Sequence, residues 1–192
     1  MKTAAILLFT ILFFGNHITA QDKLPTLDKS SMDMSYYPSN FPVSKISNKS
    51  TEPLIARIIY SRPAMNGRKI FGELVEYNKV WRFGANEATE IEFFKDVYIN
   101  KVKIKKGRYT LYAIPGEKNW TMIISKEVDT WGAFAYDNKK DLVRIDVSSE
   151  LLADKIETFA IYFDKINSNS FGLYAYWENT KIVLPISISK TN

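Results

Sequence analysis

The most constraining feature of this 192-residue sequence is a pair of alternating segments joined by a short turn, GRYTLYAI-PGEKN-WTMIIS. Alternation at every second residue places Tyr109 and Leu111 on one face of the first segment, and Trp120 and Met122 on one face of the second. Pro115-Gly116, between the two segments, is a strong turn signal. Together these residues predict an antiparallel β-hairpin.

Further segments of the same kind fill the chain from residue 54 to near its end, and helical periodicity is scarce. They are short, rich in β-branched and aromatic residues, and bounded by turn residues. About ten such strands favour an all-β fold, namely an antiparallel β-sandwich, with a jelly roll as one form of it. Besides the hairpin, the predicted strands cover residues 54–61, 69–74, 79–83, 88–100 with a break near Asp96, 102–104, 142–147, 156–163, 171–177 and 182–188.

Local signals refine this outline. Asn100-Lys101 predicts a tight hairpin turn. Residues 148–152 (SSELL) resemble a helix cap followed by one or two helical turns. Pro185 cannot donate to a ladder, so we expect the last strand at a sheet edge or at a bulge. Residues 21–53, rich in serine, asparagine and lysine, predict an extended or mobile lead-in, which leaves a single domain at 54–190.

Residues 1–20 have the composition of a secretory signal peptide. Lys2 supplies a positive charge, residues 4–14 are almost wholly apolar, and Thr19-Ala20 precede a plausible cleavage site before Gln21. The apolar run falls short of the roughly twenty residues needed to span a bilayer, which favours export over a membrane anchor. We therefore expect a periplasmic or secreted protein that does not span the membrane.

Composition excludes several chemistries. The chain contains no cysteine, and its only histidine, His17, lies in the predicted signal peptide. Histidine-dependent nucleophilic catalysis and ordinary zinc sites are therefore excluded, and we expect no metal and no cofactor. The chemistries that remain are those of carboxylate pairs, activated lysine or tyrosine, and oxygen-ligated calcium or magnesium. Loss of residues 1–20 removes one of 26 basic residues and none of 21 acidic ones, leaving a formal charge of +4. This excess is modest and spread along the chain, so nucleic-acid binding is not indicated. In the densest basic patch, 101–106, the lysines alternate with apolar residues, which favours a solvated strand or hairpin face over the alternative of a phosphate-binding patch.

Three blocks resemble, in order, the DUF2911 family of exported bacterial proteins: residues 67–89, 105–126 and 130–147. The likeness covers about residues 58–163, and the run WRFGANEAT at 81–89 is its most specific part. The resemblance implies an exported, β-rich domain and no assigned activity. This chain departs from the family pattern at Glu76 and Lys105, where proline is frequent, and at Phe83, where a smaller polar residue is common. We expect Phe83 to alter the lining of any pocket there.

The run at 81–89 places a guanidinium, an amide, a carboxylate and a hydroxyl among small residues. Arg82 is suited to clamp a carboxylate, a phosphate or sugar hydroxyls, while Asn86 and Glu87 are suited to fix orientation. In the alternative interpretation, Arg82 and Glu87 pair with each other and the remaining polar groups satisfy turn backbone. Trp131 is suited to stack on a sugar or to pack beneath its loop. The candidate ligand-binding residues are Arg68, Trp81, Arg82, Asn86, Glu87, Thr89 and Trp131.

These residues support three functional hypotheses, and the sequence identifies no catalytic residue. The favoured one is a non-catalytic binding module for a glycan, a lipid head group or an envelope protein. An alternative is a carboxylate-based hydrolase acting on a glycan, with Glu87 and a distant acid such as Asp137 or Asp141 flanking the scissile bond. The third is a structural envelope component, which requires the polar cluster to be internally satisfied.

Overall fold

A computed structural model describes residues 24–47 and 52–189 of the chain. The predicted signal peptide, its cleavage site and residue 190 lie outside these ranges. Within them the chain forms nine strands, one α-helix and a 3-10 helix at Asn138–Lys140. The main elements are β1 (Met32–Tyr37), α1 (Phe41–Ile46), β2 (Ala56–Ser61), β3 (Glu90–Phe93), β4 (Val97–Ile99), β5 (Val102–Ile104), β6 (Gly107–Ile114), β7 (Asn119–Ser125), β8 (Asp141–Asn167) and β9 (Ser170–Ser187).

The nine strands of the described ranges form one sheet in the order β1-β2-β3-β6-β7-β8-β9-β4-β5, and all neighbours are antiparallel. The long strand β8 joins two parts of this sheet, since residues 141–148 pair with β7 and residues 149–167 pair with β9. The predicted all-β class is therefore confirmed. A sandwich of two separate sheets stays a prediction, because the strand order is that of one continuous sheet.

Both predicted hairpins are present. β6 and β7 pair from Thr110↔Ser125 to Ile114↔Thr121, across the predicted Pro-Gly turn. β4 and β5 pair from Val97↔Ile104 to Ile99↔Val102. The two residues between them, Asn100 and Lys101, are both left-handed, with φ of 48° and 65°. This is the backbone that a two-residue turn needs to match the twist of its strands, and asparagine adopts it readily.

The segment expected as an extended lead-in contributes to the sheet. β1 pairs with β2 along its whole length, from Met32↔Ser61 to Tyr37↔Ala56. The ring of Tyr37 stacks on that of Phe171 in β9, with the centroids 4.0 Å apart. The short helix α1 follows, with a proline in its first turn and no buried residue. β1 therefore covers one edge of the sheet formed by the following strands.

The strands predicted at 69–74 and 79–83 are wrong. Both segments form turns with isolated bridges, Phe71↔Val75 and Trp81↔Ala113. In the first, Val75 donates its backbone N–H to Ile70 rather than to a neighbouring strand. The large apolar residues of these segments are buried all the same, since Phe71 and Trp81 are 5% and 8% exposed. They enter the core singly from an irregular backbone, which sequence alternation alone does not distinguish from a strand.

The helical turn predicted at 148–152 is also wrong, because these residues continue β8. Ser149 pairs with Ile182 and Leu151 with Thr180, so pairing across the sheet overrides the local cap signal. The strands predicted separately at 171–177 and 182–188 form one continuous strand, β9. β9 lies inside the sheet order, yet Pro185 falls between its last pair with β8 and its pair with β4 at Ser187. At Pro185, therefore, no pairing with a neighbouring strand requires the N–H that proline lacks.

Tyr60 of β2 fastens this strand to β8. Its hydroxyl donates to the backbone oxygen of Ile161 at 3.1 Å and accepts from the backbone N–H of Ile161 at 2.9 Å. The ring meets Phe159 edge-on, with the centroids 5.8 Å apart. Burial is the main cause that raises the pKa of Tyr60 to about 12. The phenol is therefore held neutral, and it ties together strands separated by 101 residues.

We predict that Tyr60→Phe lowers the free energy of unfolding by about 1–3 kcal/mol at pH 7, because the buried groups of Ile161 lose their partner. Tyr60 ionises near pH 10 when unfolded and near pH 12 when folded. Its neutral form therefore contributes full stability below pH 10, and this contribution is lost as the pH rises towards 12. In urea unfolding, the variant should lose less additional stability than the wild type between pH 10 and 12.

The matched control is Tyr98→Phe, because the Tyr98 hydroxyl has no hydrogen-bond partner among the described residues. It should leave both the stability and its alkaline slope near those of the wild type. An alkaline slope of Tyr60→Phe that equals the wild-type slope would contradict the role given to the buried phenol.

Candidate functional site

Residues 81–89 form a loop that is fixed at both ends. Trp81 exchanges two backbone hydrogen bonds with Ala113 of β6, at 2.7 and 3.0 Å. At the other end Thr89 donates its N–H to the Arg82 oxygen at 3.0 Å and its hydroxyl to the Phe83 oxygen at 2.6 Å. Thr89 is fully buried, so water does not compete for these bonds. Thr89 therefore holds the loop together rather than facing a ligand.

Two residues of this loop have left-handed backbones, Phe83 with φ of 53° and Asn86 with φ of 58°. Such a conformation is unusual for a phenylalanine, and the surrounding packing imposes it. The Phe83 ring is fully buried against Trp81 and Phe159, with centroid separations of 5.4 and 5.3 Å. Phe83 therefore belongs to the core and lines neither of the cavities beside the loop, contrary to the expectation for this position.

One cavity, named here the Arg82 cavity, has a volume of about 280 Å³. It brings together four of the seven candidate residues: Arg68, Trp81, Arg82 and Asn86. Trp81 contributes little surface, because it is 8% exposed and its indole N–H donates to the Gly84 oxygen at 3.1 Å. The sequence prediction grouped these four residues with Glu87 and Trp131, which lie elsewhere.

Arg68 is held at this cavity by its own turn. Its Nε donates to the Met65 oxygen at 2.8 Å and its terminal nitrogen to the Ala64 oxygen at 2.7 Å. Gly67, just before it, is left-handed with φ of 74°, which lets the chain reverse there. The guanidinium thus keeps a defined position while its charge stays without an acidic partner among the described residues.

The side chain of Arg82 has no hydrogen bond or ion pair with any described residue. Its Nε is shielded from solvent and lacks a partner, an arrangement that is costly for a donor on a charged group. Burial lowers the pKa of Arg82, although a guanidinium remains protonated at neutral pH. The described lining of the cavity includes no acidic side chain. The Arg82 cavity therefore carries positive charge that these residues do not neutralise.

A second cavity, named here the Trp131 cavity, has a volume of about 350 Å³. It contains the candidate residues Glu87 and Trp131, whose backbones form an isolated antiparallel bridge. The sequence analysis missed its other main contributors, which come from β1, β2, β3 and the turn after β7. The missed residues are Met32, Ile59, Glu90 and Asp129.

Arg82 and Glu87 do not form the salt bridge of the alternative interpretation. Their side chains line different cavities. The acids suggested as catalytic partners of Glu87 are used elsewhere. Asp141 accepts from the Tyr136 hydroxyl at 2.6 Å and from Arg144 Nε at 2.8 Å. Asp137 caps the 3-10 helix by accepting from Lys139 N–H. Neither acid lines the cavity that contains Glu87.

Residues 24–47 and 52–189 contain no group of three or more histidine, cysteine, aspartate or glutamate side chains placed to hold a metal ion. None of the helices in these ranges has the length and apolar character needed to cross a membrane.

Comparison with protein families matches residues 42–186 to DUF2911, described as a protein of unknown function. The matched region covers most of the chain. The chain belongs to the DUF2911 family. No curated protein and no solved structure matches it significantly.

The DUF2911 match is wider than the blocks at 58–163 that carry the resemblance, and it includes β2 through nearly all of β9. Both cavities of this DUF2911 protein therefore lie largely inside the family region. The exceptions are Ser30 in the Arg82 cavity and Met32 in the Trp131 cavity, which precede it.

We predict that Thr89→Val lowers the free energy of unfolding by about 1–3 kcal/mol, since the buried Phe83 carbonyl loses its donor while the side-chain volume is kept. Thr121→Val is the matched control, because the Thr121 hydroxyl donates to Asp146 in an exposed position. It should change stability by less than about 0.5 kcal/mol. Equal effects of the two substitutions in urea unfolding would contradict the assigned role of Thr89.

Proposed function

We propose that this DUF2911 protein is a non-catalytic binding module whose Arg82 cavity takes the anionic group of a glycan or a lipid head group. The observation that carries the proposal is the half-buried Arg82 guanidinium, which has no acidic or hydrogen-bonding partner among the described residues. Removing one partner from a buried ion pair is strongly destabilising, because the remaining charge is uncompensated. An anionic ligand would supply the missing partner.

The shape of the cavity supports a phosphate or a carboxylate as that partner. A guanidinium presents donors in a planar fork that matches two oxygens of either group. Arg68 adds a second positive charge with its orientation set by backbone carbonyls, and Asn86 adds an amide. A volume of about 280 Å³ accommodates a single sugar unit or a phosphoglycerol group rather than a polymer.

At the Arg82 cavity, the lining argues for binding rather than for glycoside hydrolysis. Cleavage of a glycoside by carboxylates needs two acids on either side of the scissile bond. No acid is among the described residues that line the Arg82 cavity. A purely structural role is also disfavoured, because it predicted that the polar cluster would satisfy itself, and Arg82 remains unpaired.

Export is part of the proposal. The signal-peptide pattern of residues 1–20 supports a periplasmic or secreted protein, where glycans and lipid head groups are accessible. We predict that the protein isolated from its own cells begins at or near Gln21 and is found outside the cytoplasm. Intact-mass measurement after cell fractionation tests this, and a cytoplasmic protein that retains Met1 to Ala20 would refute the export part alone.

The binding proposal predicts that anions stabilise the protein against heat. At an anion concentration a hundredfold above Kd, the melting temperature should rise by roughly 5–10 °C for a domain of this size. The probes are inorganic phosphate, glycerol 3-phosphate as the lipid-head-group arm and glucuronate as the glycan arm, all at constant ionic strength. Glucose, which lacks an anionic group, should give no comparable shift.

Arg82→Gln should weaken the binding of the effective anion by roughly 10- to 100-fold, because charge-assisted hydrogen bonds contribute about 1.5–3 kcal/mol. Calorimetric titration measures this change. Arg57→Gln is the matched control, because Arg57 of β2 pairs with Glu92 of β3 and does not line the cavity. Binding of none of the three anions, or equal binding by wild type and Arg82→Gln, would rule out the proposed site.

A further inference from the structure

The Trp131 cavity has features of a binding site that the anion proposal does not use. Its lining is mainly apolar, with Met32, Ile59 and Ala88 contributing alongside Trp131. Trp131 is 60% exposed, which is unusual for the largest apolar side chain, whereas the other tryptophans named above are almost fully buried. The volume of the cavity, about 350 Å³, is within the range of small-molecule sites.

The backbone around Trp131 is fixed although its ring is exposed. On one side Ala88 donates its N–H to the Thr130 oxygen at 3.0 Å, and on the other Gly132 donates to the Asn86 oxygen at 3.0 Å. Gly132 is left-handed, with φ of 68°, and a Cβ there would lie 2.7 Å from the Phe134 ring. The indole is therefore presented at the cavity by a backbone that does not need to order when a ligand binds.

The charge at this cavity is negative. Three carboxylates line it, those of Glu87, Glu90 and Asp129. Arg108 pairs with two of them, with its nitrogens 3.4 Å from Glu90 and 2.7 Å from Asp129. Glu87 has no ion pair or side-chain hydrogen bond with a described residue. One guanidinium thus pairs with two of the three carboxylates, and the unpaired one, Glu87, lies on the loop residue bridged to Trp131.

We propose that the Trp131 cavity binds a small organic ammonium group, with the indole face of Trp131 and the carboxylate of Glu87 as its principal contacts. An indole is the best side chain for attracting a cation through the face of its ring. The apolar lining suits the methyl or methylene groups of such a ligand, and the unpaired carboxylate supplies charge complementarity. A neutral apolar ligand would contact the same apolar residues but would gain nothing from Glu87. The charge of the ligand is therefore the property that distinguishes an ammonium ligand from a neutral one.

The test compares choline with 3,3-dimethylbutan-1-ol, which has the same shape and no charge, by calorimetric titration of the purified protein. A titration of the protein with sodium chloride at equal ionic strength is the control for the titration with choline chloride. We expect saturable choline binding, and binding of the neutral alcohol that is weaker by roughly tenfold or more. Choline affinity should also fall as the salt concentration is raised, because part of the attraction is between exposed charges.

Variants assign the binding to the two principal contacts. Trp131→Ala should abolish choline binding, and Glu87→Gln should weaken it by roughly tenfold. Both residues are exposed, so the variants should fold, which circular dichroism checks. Phe134→Ala is the matched aromatic control, since Phe134 is 83% exposed on the same loop and does not line the cavity. It should bind choline as the wild type does.

Arg82→Gln separates this proposal from the anion site. It should leave choline binding unchanged even though it weakens anion binding, so either proposal can fail without the other. Three outcomes would overturn the ammonium site: no saturable binding of choline, binding of the neutral alcohol as tight as that of choline, or choline binding that survives Trp131→Ala.

Discussion

The structure depends on a cluster of aromatic rings that anchors an irregular segment of the chain to the sheet. Phe71 and Trp81, from the turns between β2 and β3, pack against Trp120, Phe159 and Trp177 from β7, β8 and β9. The chain contains no cysteine, so no disulfide can hold this segment. Ladder hydrogen bonds are also few there, since residues 62–89 form only isolated bridges. Burial of large rings is therefore the main force that positions the turns.

The anchoring of Trp81 and Phe83 determines where the polar residues between and after them lie. With both rings in the core, Arg82 lies at the edge of the core, and the guanidinium is shielded without being neutralised. The left-handed conformation at Asn86 then separates the two cavities, with Asn86 at one and Glu87 at the other. Core packing and the candidate sites are thus parts of one arrangement, which is why the most specific sequence block of the family contains residues of both kinds.

The sequence predicted best what short-range pattern determines. The hairpin of β6 and β7 follows from alternation and a turn within twenty residues, and it is present. The failures come from long-range effects: residues 148–152 have a local helix signal, but pairing with β9 makes them a strand. For the site, the sequence indicated which polar groups the run at 81–89 contains. It did not indicate that these groups are divided between two cavities. That division follows from the left-handed backbone at Asn86 and from lining residues such as Met32 and Asp129 that other elements contribute.

The separation of Arg82 from Glu87 gives the two cavities opposite charge. The two residues are five positions apart in a tight loop, and a salt bridge between them would neutralise both side chains. The fold instead holds them on different linings, one beside a second arginine and the other beside two further carboxylates. Glu87 is exposed, and an ion pair with an exposed partner contributes only about 0–1 kcal/mol, so its absence costs the fold little. Each charge is instead left facing a cavity, which is the condition that both proposed sites require.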